Sequence, residues 1–247
     1  MKKYGPPLLL AGFLLALWQI GAGALNAPYI LPTPIQILKK MWELRGPLLS
    51  EHLPSTVYVT MIGLGISILL GLALAVLMEL SPAAERALYP LVIASQTIPT
   101  TAIAPLFVVW FGYSIWSKVL VTILMTFFPI TITVFDGFKS TKREMEELLI
   151  SYGANEKDIF LKLKLPTALP SFFSAVKMAV PLSLIGAAIG EWLGAQSGLG
   201  YFSRRMMTQL DGAGVFAPIV LLSVVAMVIV AIVNTVEKIF IKWRKEL

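Results

Sequence analysis

Long apolar runs, continuous rather than alternating, dominate the chain and are separated by shorter polar stretches. A run of about 18 or more mainly apolar residues is long enough to cross a hydrocarbon core as a helix. Six runs qualify: Pro7–Leu25, Val57–Met78, Leu88–Phe111, Ile115–Phe135, Ala168–Leu193 and Val215–Ile239. Continuity favours helices over a barrel, because barrel strands alternate apolar and polar positions while a spanning helix satisfies its own backbone. The pattern therefore predicts an all-α, polytopic membrane protein forming a single domain over residues 1–247. Pro99 and Pro105 interrupt the third run, Pro129 the fourth and Pro181 the fifth, while Pro218 begins the sixth, so kinks are expected there. Gly63, Ser67, Gly71 and Ala75 recur at four-residue spacing, as do Gly186, Gly190, Gly194 and Gly198. Such faces let helix backbones approach closely in lipid, and packing within one subunit is the plain expectation for both.

Between the first two runs lies a connector, Asn26 to Ser55, with a helix-like piece at Ile35 to Leu44. His52, the one histidine, has no second cluster of ligand-type residues near it, so no metal or acid–base role is assigned. The middle of the chain differs. "EELLISYGANEKDIFLKLKLP", Glu146 to Pro166, is charged and amphipathic. Met145, Leu148, Leu149 and Tyr152 follow i, i+3, i+4, i+7 spacing, and Glu144, Glu146 and Glu147 stand near the helix start, where they suit the dipole. Gly153 supplies a left-handed stop and Asn155 a cap for a second helix with Ile159, Phe160 and Leu163 on its apolar face. Leu165-Pro166 is expected to end that helix and open the fifth span. The prediction is a helix-turn-helix lying on one membrane face.

Composition agrees with the pattern: 57% of residues are hydrophobic and 14% charged, with a mean hydropathy of +0.81. Charge sets the expected orientation, because cytoplasmic loops retain lysine and arginine. With the N-terminus inside, the inner segments hold Lys2, Lys3, Arg86, the six basic residues from Lys139 to Lys164 and the four near the C-terminus. The outer segments hold Lys39, Lys40, Arg45, Lys118, Arg204 and Arg205. A net charge of +6 follows from this bias and does not point to nucleic acid. With no cysteine, disulfides and thiolate metal sites are excluded. Lys2-Lys3, the apolar run after Pro7 and Ala22-Gly23-Ala24 also fit a cleavable signal peptide; the length of the run, with Trp18 and Tyr29 as interfacial anchors, favours a span.

Glu147, five residues, Gly153, nine residues, then Leu163-Lys164-Leu165-Pro166 resembles the EAA loop of binding-protein-dependent ABC transporter permeases. Leu148 and Leu149 stand where that family usually has two alanines, and Leu163 where it often has isoleucine. "ILPTPIQI", "QTIPTTAIAPLFVVWFG", "FFPITITVFDG" and "GAQSGLGY" look like the nitrate, sulfonate and taurine branch. Gln209-Leu210-Asp211 and Val215-Phe216-Ala217 are more similar to permeases for thiamine-precursor pyrimidines or riboflavin. The resemblance implies a type I ABC importer permease (MetI-like) fold with a coupling helix in a cytoplasmic loop, residues 142–165. It also implies a bacterial or archaeal cell membrane, with both termini cytoplasmic. Glu147, Leu148, Leu149, Gly153, Ala154, Leu163, Leu165 and Pro166 would meet or shape the contact with a separate ATPase. Further implied partners are an extracytoplasmic solute-binding protein and a second permease copy forming a homodimer. No Gly-Lys dipeptide occurs, so no P-loop can be built, and the chain is expected not to be an enzyme. ATP and Mg would sit on the partner, and no cofactor on this chain.

Gln96, Thr97, Pro99, Thr100 and Thr101, at the expected kink, and Ser183 are the candidates for lining a passage. Such weak polarity suits a permease whose binding protein selects the solute. The expected solute is a hydroxymethylpyrimidine-type heterocycle, with alkanesulfonate, taurine or nitrate as alternatives. A secondary transporter would call for paired deep carboxylates or repeated broken helices, and a membrane enzyme for a convergent acid–base or metal set; neither pattern is found.

Overall fold

The computed structural model describes residues 5–241; Lys2, Lys3 and the basic residues Lys242, Arg244 and Lys245 lie outside the described residues. The helices are α1 (Gly5–Leu25), α2 (Pro34–Glu43), α3 (Arg45–Pro47), α4 (Leu53–Leu80), α5 (Pro82–Ser95), α6 (Thr100–Phe111) and α7 (Ile115–Lys139). After them come α8 (Arg143–Ser151), α9 (Glu156–Ile159), α10 (Leu165–Gly194), α11 (Leu199–Thr208) and α12 (Gly212–Phe240). Among the described residues there is no strand. Five helical rods are long and apolar enough to span, and α5 with α6 makes a sixth passage if the bent pair is counted as one.

The small-residue faces pack inside the subunit, as their spacing predicts. α7 lies between α4 and α10: a β-carbon on Gly71 would stand 2.8 Å from Ile130, and one on Gly186 or Gly190 2.8 Å from the Thr122 or Lys118 backbone. Ser67 accepts a 2.6 Å hydrogen bond from Thr126 Oγ1 across the same seam. Towards the α8 end this seam widens into an apolar core of Met78, Ile130, Val134, Phe138, Ala175 and Val180. α1 and α12 are peripheral. Of α1 only Ala22 is buried, and its leucines face outward, as lipid-facing side chains do. Lys177 reaches α12, where its Nζ lies 2.7 Å from Glu237.

The prolines act unequally. Pro129, Pro181 and Pro218 sit within continuous helices rather than interrupting them. In lipid, neighbouring hydroxyls and packed helices compensate for the missing N–H. The third span is where the chain breaks: α5 and α6 meet at 95° rather than forming one kinked helix. Pro99 disfavours the helical region for Ile98, and Gln96 and Thr97 close α5 by donating their N–H groups to Ile93 and Ala94. Leu165-Pro166 departs from expectation in the opposite sense. It ends nothing, because residues 156–194 form one helical rod of 39 residues. A π turn at Phe160–Lys164, closed by Leu165 N–H donating to Phe160 O, carries the helix past the proline ring. The same device precedes Leu53-Pro54, where Leu53 N–H donates to Leu48 O.

Candidate functional site

The 142–165 segment folds as a helix, a tight turn and the foot of the long rod. Glu144 and Glu146 occupy the first turn of α8, where negative charge is favoured. α8 ends in a Schellman motif: Gly153 N–H donates to Ile150 O at 2.9 Å and Ala154 N–H to Leu149 O at 3.0 Å. Gly153 holds φ at +82°, which a residue without a β-carbon adopts at little cost. Asn155 then caps α9 by accepting from Asp158 N–H at 2.9 Å.

Two faces result. Ile159 is buried, Phe160 packs on Phe138 of α7 at 5.5 Å between ring centroids, and Leu163, Leu165 and Pro166 are half-buried. These residues bind the loop to its own bundle. Met145, Leu148 and Tyr152 are 46%, 47% and 79% exposed and make an apolar edge on α8; Ile150 lies on the Glu146 side of the helix, beside Glu79 and Lys164, and Leu149 and Ala154 are half-buried. Glu147 is exposed and pairs with Arg143 one turn earlier, at 2.8 Å. Sequence reasoning missed Lys164. Its Nζ lies 2.6 Å from Glu79, at the end of α4, and 3.4 Å from Glu146 of α8. The available signal was Glu79 itself, a carboxylate closing an apolar run.

Of the passage candidates, Gln96, Thr97, Pro99 and Thr101 are exposed and Thr100 half-exposed, all together at the break between α5 and α6. Ser183 is fully buried, with its hydroxyl donating to Val180 O at 2.7 Å.

A second polar assembly occupies the opposite end of the bundle, where α4 begins and α10 ends. The N-terminal amides of α11 are taken in succession by three side chains: Gly198 N–H donates to His52 Nδ1 at 3.1 Å, Leu199 N–H to Thr56 Oγ1 at 2.7 Å and Gly200 N–H to Glu191 Oε2 at 2.8 Å. Thr56 Oγ1 in turn donates to Glu191 Oε1 at 2.8 Å. Glu191 is 1% exposed, and a β-carbon at Gly198, whose φ is +119°, would overlap its carboxylate. His52, unassigned from sequence, is thus a buried hydrogen-bond acceptor. Nearby, Asp211 caps α12 by accepting from Gly214 N–H at 2.9 Å and pairs with Lys40 of α2 at 2.8 Å.

Comparison with known proteins follows the same outline. The family described as binding-protein-dependent transport system inner membrane component matches residues 67–245. The formylaminopyrimidine transport permease protein of Halalkalibacterium halodurans is 52% identical over 97% of this chain and 96% of its own. A putative aliphatic sulfonates transport permease protein of Bacillus subtilis is 32% identical over 98% of this chain and 90% of its own. Among solved structures, an amino acid ABC transporter crystallised with histidines superposes with a TM-score of 0.63 at 16% identity, covering 81% of this chain and 95% of that one, a likeness of fold.

Proposed function

Because this chain belongs to the family of binding-protein-dependent transport system inner membrane components and is an ABC importer permease, we propose that it passes a formylaminopyrimidine-type solute across the membrane, driven by a separate ATPase. Identity of 52% along nearly the whole chain with a formylaminopyrimidine permease, against 32% with a sulfonate permease, supports that solute class. The 142–165 loop is the ATPase contact in this reading, and both chain ends share its cytoplasmic side. α11 and the 195–211 segment then face the side from which a solute-binding protein delivers. A second copy of the chain completes the pathway, with the α5–α6 break lining it. ATP and Mg belong to the ATPase.

One observation carries the coupling assignment: α8 presents Met145, Leu148 and Tyr152 outward while its Glu146 side faces Lys164 of the bundle. An amphipathic helix whose apolar edge its own chain leaves uncovered fits a groove on a partner. The chain has no cysteine, so single-cysteine variants report one position each. Leu148→Cys and Tyr152→Cys should cross-link to the ATPase in membranes, whereas Leu69→Cys, 71% exposed on α4, should not. Equal cross-linking from all three positions, or none from α8, contradicts the assignment. In the same membranes, uptake should be inhibited by formylaminopyrimidine and not by taurine or an alkanesulfonate; the reverse order replaces the solute class and leaves the coupling assignment intact.

A further inference from the structure

We propose that Lys164 is the positioning residue that carries movement of α8 to α4, by holding Glu146 and Glu79 in one ion-paired triad. The inference rests on the coupling role proposed for the loop. Three elements meet at this ammonium: α4 in its last turn, α8 near its start, and the 156–194 rod from which Lys164 itself projects. The Glu79 side chain is 4% exposed and those of Lys164 and Glu146 are 21% and 29% exposed, so solvent screens these charges less than it would a surface pair. Glu79 Oε2 is buried without a hydrogen-bond partner, and Lys164 is the only cation paired with Glu79 among the described residues. Displacing α8 therefore shifts the charge on which a buried carboxylate depends, and truncating the lysine strands that carboxylate.

Other ion pairs near the loop lack this arrangement. Arg143 and Glu147 belong to one helix and are both exposed, and Lys139–Glu85 joins α7 to α5 without touching α8. Beside the triad is a cavity of about 320 Å³ lined by Glu79, Glu146, Glu156, Ile159, Phe160 and Lys164. The ammonium thus has room to shift between its carboxylates without repacking a core.

The test uses the whole transporter, with its ATPase and binding protein, in proteoliposomes, and reads solute taken up per ATP hydrolysed alongside thermal unfolding. Lys164→Met should lower that ratio at least tenfold, and Lys164→Arg should preserve it. Glu146→Gln, which removes only the α8 arm, should lower the ratio with the melting temperature unchanged. The double variant Lys164→Met with Glu79→Gln has no stranded carboxylate, so it should melt like the wild type yet remain uncoupled. Recovery of the ratio in the double variant would show that Lys164 merely neutralises Glu79, and an unchanged ratio in Lys164→Met overturns the inference as directly. Both results leave the coupling assignment standing, whereas a wild-type chain that never captures an ATPase removes that assignment and this inference with it.

Discussion

At Gly153 the backbone takes a conformation that costs an L-residue about 1–2 kcal/mol, and nothing lies within 4 Å of where its β-carbon would stand. The penalty for substitution is therefore conformational rather than steric. Gly153→Val should uncouple ATP hydrolysis from uptake in reconstituted transporter, whereas Gly153→Asn, which tolerates the left-handed region, should retain most of the coupling. Similar accounting applies at the other end of the bundle. Thr56→Val leaves the Leu199 N–H buried without an acceptor, a loss of about 1–3 kcal/mol. The variant should melt earlier and exchange the 198–200 amides faster by mass spectrometry; unchanged exchange would mean that Thr56 does not hold α11. Gly153 was legible in the sequence because a glycine between two helical periodicities has one physical use. The Thr56–Glu191 bond joins residues 135 positions apart, and local pattern contains nothing of it. Lys164 was hard to read for the same reason: Glu79 closes an apolar run, but nothing local joins it to a lysine 85 positions away.

Element packing was more readable than side-chain pairing, because small residues at four-residue spacing leave a helix face little to do except admit a neighbour. Gly186→Ala should cost about 1–3 kcal/mol, since a β-carbon there would meet the Thr122 backbone. Gly65→Ala, on the same kind of helix but with open space around it, should be neutral or slightly stabilising; equal melting of the two variants would contradict the packing account. Proline effects were the least readable. The same residue type ends a helix at Pro99 and is accommodated at Pro166, and the difference lies in whether a π turn and tertiary neighbours take up the strain. Between α2 and α12 an ion pair stands beside an apolar cluster that includes Met41 and Ala217. Burial pushes the Asp211 carboxyl up, but the Lys40 ammonium and the Gly214 N–H outweigh it and hold the group below its ordinary 3.8. The hydrogen bond to Asp211 raises Lys40 above its ordinary 10.5. The depressed Asp211 value stabilises the fold above pH 3.8 and ceases to as pH falls through its folded value; the raised Lys40 value stabilises it below pH 10.5 and ceases to as pH rises through its own. Asp211→Asn keeps the cap oxygen and loses the ion pair, so it should be about 0.2–1 kcal/mol less stable at neutral pH. That deficit should shrink at pH 3, and a constant difference across the range would show that the pair contributes nothing.

On the scale of the whole molecule, the chain is a bundle with an anchored core of α4, α7 and α10 and two differently built ends. One end holds α11 rigidly through a buried carboxylate, and the other carries α8, whose apolar edge the chain leaves uncovered. In the proposed reading, the end fixed by buried polar bonds receives the solute-binding protein and the end left uncovered receives the ATPase. The fold class could be read from run length and spacing, and the helix, turn and helix of the 142–165 segment from the Glu147–Pro166 pattern. The passage could not, because in the proposed reading it forms between two copies and has no signature within one. The measurement that tests the account most directly is native mass spectrometry of the complex extracted gently from its own membranes. The account predicts two copies of this chain with two ATPase subunits, and a retained solute with the mass of an aminopyrimidine. Repeated recovery of the chain alone, from membranes in which uptake persists when ATP is depleted, would contradict it.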